Sequence, residues 1–265
     1  MSGSSLRRRV AAGALLALPL TFIGATAPAS AHDGPHPVKI RLDPLKGSDA
    51  HGTATLTPTS SGGLKVHIHT TGMTPGMPHA QHIHGDTSGT HFFCPNDSAD
   101  KDGSGFISVE EGLKMYGNIH ISLTTKGDTS PDSGLAVDRF PVADKNGVLD
   151  YTRTISADQL PAGTLDGLHN LHIVQHGVDA NGNDKYDLDG SGESTFAKSL
   201  GVKGIPAEAT DGSTCGMVMP AGGVETGGES TSGVEDGGLI ALGSVALLGA
   251  GAALLMRRRL APQAD

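Results

Sequence analysis

Gly72-Met73-Thr74-Pro75-Gly76-Met77-Pro78-His79-Ala80-Gln81-His82-Ile83-His84-Gly85 is the stretch on which the reading of this chain turns. Its first half is built of glycines and prolines, the residues that punctuate turns. Its second half alternates His82 and His84 with Ile83. In a strand, alternate side chains point the same way. The two imidazoles therefore share one face and can be offered to a single metal ion.

Working outward, Val38, Ile40 and Leu42 alternate with polar residues, as do Val66 and Ile68, which is the signal of half-buried strands. Further short strands are expected near 50–57, 80–85, 117–124, 135–142, 148–154, 170–176 and 213–219. Turns such as Ser61-Gly62-Gly63, Lys145-Asn146-Gly147 and Ala180-Asn181-Gly182 separate them. Only 109–116 and 193–200 read as helical. With 39 Gly, 15 Pro and no Trp in 265 residues, the composition favours a loop-rich all-β fold, an antiparallel sandwich or barrel.

All 13 histidines fall between positions 32 and 176. His67 and His69 repeat the spacing of His82 and His84, and His172 and His176 share a face further along. Imidazole suits copper and zinc, with geometry selecting between them. Isolated strand histidines more often serve as half-buried hydrogen-bonding groups, the reading given to His67 and His69.

The quoted stretch resembles the Gly-Leu-Thr-x-Gly-x-His-Gly-Phe-His-Val-His segment of copper/zinc superoxide dismutases, with one extra proline. Gly89-Thr90-His91-Phe92 is similar to their Gly-Pro-His-Phe, Gly117-Asn118-Ile119 to a Gly-Asn-Val, Ala143-Asp144-Lys145-Asn146-Gly147-Val148 to an Ala-Asp-x-x-Gly-Val, and Cys215-Gly216 to a terminal Cys-Gly. The matches keep the family's order across 66–218. His-Ile-His-Gly also resembles the related CHRD domain. The resemblance implies an antiparallel Greek-key β-sandwich or barrel. It implies copper ligands at His82, His84, His91 and His176, with His172 as the alternate to His176, and superoxide dismutation as the activity. Gly112 and Met115 stand where that family places its zinc histidine and aspartate, and Gly212 where it places a substrate-guiding arginine. The zinc site is therefore expected to be lost. The CHRD alternative is a non-enzymatic cell-surface interaction module with structural calcium.

Residues 100–111 fit the twelve-residue EF-hand calcium loop. Asp100, Asp102, Ser104, Ser108 and Glu111 supply oxygens at positions one, three, five, nine and twelve, the Phe106 carbonyl stands at seven, and Gly105 allows the sharp turn. Pro95 and Asn96 leave no room for a usual entering helix. A second stretch begins similarly with Asp179, Asn181, Asn183 and Asp187, but Asp184 occupies the glycine position and Gly190 the terminal carboxylate position. It reads equally as an Asx-rich turn.

The two ends fix the expected compartment. Arg7, Arg8 and Arg9, the apolar run 10–25 and Ala29-Ser30-Ala31 have the layout of a secretory signal, 1–31, cleaved before His32. The globular part is expected over 32–219, followed by a polar stalk at 220–236, an apolar segment at 237–256 long enough to span a membrane, and a basic cytoplasmic tail at 257–265. The tail also resembles a sortase sorting signal without its pentapeptide, so the outer face of the cell membrane and the cell wall are the two expected locations. In an exported domain, the two cysteines, Cys94 and Cys215, are most simply one disulfide. Residues 32–236 carry 13 basic and 27 acidic side chains, a net charge of −14, which would repel nucleic acid.

Overall fold

The computed structural model describes residues 37–218. The expected signal sequence 1–31, stalk 220–236, membrane segment 237–256 and basic tail 257–265 lie outside those residues.

Eight antiparallel strands form a sheet curled into a half-barrel: β1 (Val38–Pro44), β2 (His51–Pro58), β3 (Leu64–Thr71), β4 (Gln81–His84), β5 (Ile119–Ser122), β6 (Leu149–Ile155), β7 (His172–His176) and β8 (Gly212–Met217). Their order is β5-β4-β7-β8-β1-β2-β3-β6. β1 is the corner: it pairs with β2 from Val38 to Leu42, and with β8 only through Asp43 and Pro44. Each of these strands finds its partners within 37–218, so this segment folds as a unit.

Period-two patterning decides the faces. In β3, buried Leu64, Val66 and Ile68 alternate with exposed Lys65, His67 and His69. Those three apolar residues join Ile40, Leu42 and Leu56 from one half of the sheet, and Ile83, Ile121 and Ile173 from the other, in one core. Fully burying each such side chain contributes roughly 1.5–3 kcal/mol. His67 and His69 face solvent, and His69 Nδ1 pairs with Asp150 Oδ1 at 2.6 Å, consistent with a surface hydrogen-bonding role.

The other face of β5-β4-β7-β8 is covered by long excursions. Beneath them a second apolar cluster, Leu45, Ala99, Ile107, Tyr116, Val174 and Cys215, packs on the sheet. Cys94 and Cys215 form the expected disulfide, Cα atoms 5.7 Å apart, which ties one excursion to β8. The excursions carry α1 (Val109–Tyr116), α2 (Leu188–Ser191) and α3 (Thr195–Ser199). The expected helix at 193–200 is thus shorter, with Ser194 accepting from Ala197 N–H at its N-terminus.

The strand expected at 135–142 does not form. Residues Val137–Arg139 make a 3-10 turn instead, and pairing is reduced to a single bridge between Pro78 and Val142. Pro141 has no N–H to give a ladder, and the Arg139 guanidinium bonds the carbonyls of Lys126 and Asp128, which pins this loop in a non-strand course.

Candidate metal centre

His82 and His84 lie on the outer face of β4, opposite Val174 and His172 of β7. His176 stands two residues beyond Val174 on β7, so period-two alternation puts it on the same face. One ring nitrogen from each of His82, His84 and His176 lies within 4.8 Å of the others. The pairing with β8 steps from Thr214 to Gly212, the extra residue being Ser213 on β8. All three residues are buried.

Each ring is oriented by a backbone carbonyl. His82 Nε2 donates to Gly134 O at 3.1 Å, His84 Nδ1 to Gly117 O at 2.9 Å, and His176 Nδ1 to Thr210 O at 2.7 Å. A carbonyl only accepts, so the bonded nitrogen carries the proton and the opposite nitrogen keeps its lone pair. His82 Nδ1 and His84 Nε2 are buried without any partner. An orphaned buried acceptor is costly unless something fills it. Burial, aided by the neighbouring His176, pushes His84 down to about 3, and burial pushes His176 down to about 4. Burial, then His176 and His84, hold His82 well below its ordinary value. Three neutral imidazoles with converging lone pairs fit a borderline or soft metal ion, and outer hydrogen bonds of this kind fix the tautomer of metal-binding histidines.

Two other expected ligands fall outside the group. His91 is exposed on the excursion after β4. His172 is buried on the same face and opposite His84, yet is not among the three converging nitrogens. The backbone of Phe92 and Asn170 approaches its ring, but neither nitrogen completes a hydrogen bond. At the positions expected to have lost their zinc ligands, Gly112 packs against the Tyr116 ring and Met115 joins the second apolar cluster. At Gly212 an added Cβ would lie 2.6 Å from Leu45, so the site of the absent arginine is filled by apolar packing.

The loop 100–111 closes on itself. Asp100 Oδ1 accepts from Gly103 and Ser104 N–H at 2.8 and 3.1 Å, and Oδ2 from Gly105 N–H at 3.0 Å. Glu111 Oε1 accepts from Lys101 N–H at 2.6 Å and Oε2 from Ser108 N–H at 3.0 Å. Ser104 Oγ accepts from Phe106 N–H at 3.4 Å. Carboxylate oxygens of Asp100, Asp102 and Glu111 come within 4.8 Å of one another. A single 3-10 turn, Asp97–Ala99, replaces an entering helix. Gly47, with φ of 81°, lets the loop lie close: a Cβ there would meet Gly105 O at 2.6 Å. The Lys46 ammonium sits 2.6 Å from Asp100 Oδ2, and chiefly through that bond holds the carboxyl down to about 2.

The second loop repeats this pattern position for position. Asp179 Oδ1 accepts from Gly182 and Asn183 N–H at 2.7 and 3.1 Å, Oδ2 from Asp184 N–H at 2.6 Å, and Asn183 Oδ1 from Lys185 N–H at 3.1 Å. Asp184 adopts φ of 60°, the left-handed conformation that Gly105 takes in the first loop, and Asp tolerates it better than most residues. Asn181 and Asn183 both reach the Asp187 carboxylate, which also caps α2. The missing terminal carboxylate is supplied by Glu208, a residue that no motif singles out. Its Oε1 accepts from Ala180 N–H at 2.8 Å and its Oε2 from Asp187 N–H at 2.7 Å, the counterparts of Lys101 and Ser108. Gly190 has to be glycine for this to happen, because a Cβ there would collide with Glu208 Oε1. Glu208 is fully buried, and among the described residues no Lys or Arg pairs with it. The only hint in the sequence is an acid set in the apolar run Ile205-Pro206-Ala207-Glu208-Ala209.

Asp211 lies within reach of both loops. Burial, then the carboxylates of Glu110, Glu111, Asp102 and Glu208, raise its pKa to about 8.

No protein-family model matches the chain, and no curated protein matches it. Among solved structures, a mutant of superoxide dismutase 5 from Candida albicans is similar at 11% identity, over 73% of this chain and 99% of that one, with a TM-score of 0.34.

Proposed function

We propose that this chain is an exported, membrane- or wall-tethered copper-binding domain of superoxide dismutase-like Greek-key fold, stiffened by calcium in two loops. The observation that carries it is the set of three lone-pair nitrogens, His82 Nδ1, His84 Nε2 and the nitrogen of His176 left free by its Nδ1–H bond, each oriented by a carbonyl. Bound copper would supply one-electron redox chemistry, superoxide dismutation being the activity that the sequence resemblance implies. The protein's part is to keep the imidazoles neutral and aimed. α1 ends at Tyr116, the carbonyl of the following Gly117 holds His84, and the excursion between β7 and β8 holds His176 through Thr210.

Calcium is supported by the shared hydrogen-bond pattern of the two loops and by Glu208, buried with no cationic partner among the described residues. Oxygen-only ligand sets of this kind suit a hard cation. A non-enzymatic CHRD-like module is the second reading, favoured by one observation, the apolar filling around Gly212 where a guiding cation would stand.

The test is metal content. The segment 32–219, stripped with chelator, reloaded with copper and desalted, is expected to retain about one copper, and the His82→Ala/His84→Ala double variant none. Unchanged stoichiometry in the double variant overturns the assignment. Superoxide turnover by the loaded domain separates the enzymatic reading from the second one.

A further inference from the structure

A cavity of about 290 Å³ opens directly onto His82, His84 and His176. Its walls come from separate excursions: Val109 and Leu113 from α1, Leu135 and Val137 from the loop before β6, Phe196 from α3 and Ile205 beyond it. Among the described residues, no Asp, Glu, Lys or Arg lines it. Val137 stands at 41% exposure, although such side chains are normally withdrawn from water. His82, His84 and His176 are the titratable side chains that line this apolar chamber, with His82 Nδ1 and His84 Nε2 buried just beneath its surface and unbonded.

We propose that the ligand admitted to these histidines is a neutral, mostly apolar small molecule carrying one polar atom, of the phenol or aromatic alcohol class. This rests on the three-histidine metal reading alone and puts an uncharged ligand in place of the small anion that the sequence resemblance implies. Ligand sites pair apolar walls with a few placed polar groups, and here the groups at the base are the imidazoles. A small anion is served less well: apart from the metal itself it finds no cation on the walls, in a domain of net negative charge. A ring of one or two cycles gains by burying carbon against Leu135, Phe196 and Ile205, and its hydroxyl comes to rest at the histidine floor.

The probes are 4-propylphenol, uncharged at neutral pH, and azide, a small anion. Each is titrated by calorimetry into metal-free and copper-loaded 32–219, with the copper visible spectrum recorded alongside. Propylphenol is expected to bind both forms saturably, to shift the copper spectrum, and to bind at least about tenfold more weakly in Val137→Asp and Phe196→Asp, with copper content unchanged. Val137 is at the exposed rim, so its variant keeps the test valid if Phe196→Asp does not fold. Azide is expected to shift the spectrum only at much higher concentration. Copper retained with no propylphenol binding, or with azide the stronger ligand, overturns the inference and leaves the metal site standing. Propylphenol binding without copper retention keeps the cavity and sinks the metal reading instead.

Discussion

Glu208 occupies in the second acidic loop the place that Glu111 occupies in the first: each carboxylate joins the N–H of loop position two to that of position nine. Glu111 is the twelfth residue of its own loop and stands in the first turn of α1. Glu208 arrives instead from a separate 3-10 turn, Ala207–Ala209, well beyond Gly190 at the twelfth position of the second loop. Two chain routes thereby reach the same carboxylate placement.

Calcium titration of chelator-treated 32–219 should therefore find about two sites in the wild type. Glu111→Gln and Glu208→Gln should each remove one, and each should cut the calcium-dependent rise in Tm. A Glu208→Gln protein with two undiminished sites would show that the second loop is only an Asx-rich turn.

Asp211 offers a test through pH. Its folded pKa of about 8 exceeds the unfolded value of 3.8, so its contribution is most favourable below that value and is lost as pH rises through 8. Asp211→Asn should be more stable than wild type in chelator, by a margin that grows between about pH 5 and 8. Calcium, by offsetting the carboxylates around it, should shrink that margin. Equal melting temperatures across this range would contradict the burial and repulsion acting on this group.

The histidines shift stability the other way. The folded pKa values of His84 and His176, about 3 and 4, lie below the unfolded 6.5, so the unfolded chain binds more protons between those limits. The metal-free domain should hold this contribution in full above 6.5 and lose it as pH falls toward 4. Urea midpoints near about pH 5 and pH 7.5 measure the loss, and His84→Leu should flatten it. A slope untouched by His84→Leu would place the titration elsewhere.

The Cys94–Cys215 bridge spans 121 positions. Constraint of so long an unfolded loop gives an expected loss of about 3–5 kcal/mol in a Cys94→Ala/Cys215→Ala variant, by urea unfolding. Because the bridge ties an excursion to the sheet, copper retention should fall with it. Stability unchanged within error would mean that the second apolar cluster alone holds this excursion.

Much of the fold and part of the site are legible in the sequence for local reasons. Period-two alternation marks β1, β3 and β4, and the His82-Ile83-His84 spacing supplies two of the three converging rings. The helix Val109–Tyr116 and the loop before it are read from residues adjacent in the chain. The rest depends on long-range placement. His91 follows a short motif match, but its loop leaves it in solvent. His176 follows by simple alternation along β7 and is the ligand that the resemblance implies, but the local pattern alone does not choose between it and His172. Glu208 is not assignable from sequence because it completes a loop at positions distant along the chain, and the carbonyls of Gly117, Gly134 and Thr210 carry no side-chain signature at all.

The most direct measurement of the central claim is pulsed electron paramagnetic resonance on copper(II)-loaded 32–219, which counts coordinated imidazoles through their remote nitrogens. Three are expected in the wild type, in His91→Ala and in His172→Leu, and two in His176→Ala. A spectrum without imidazole nitrogens, or one that His176→Ala leaves intact while His91→Ala or His172→Leu reduces it, would contradict the site.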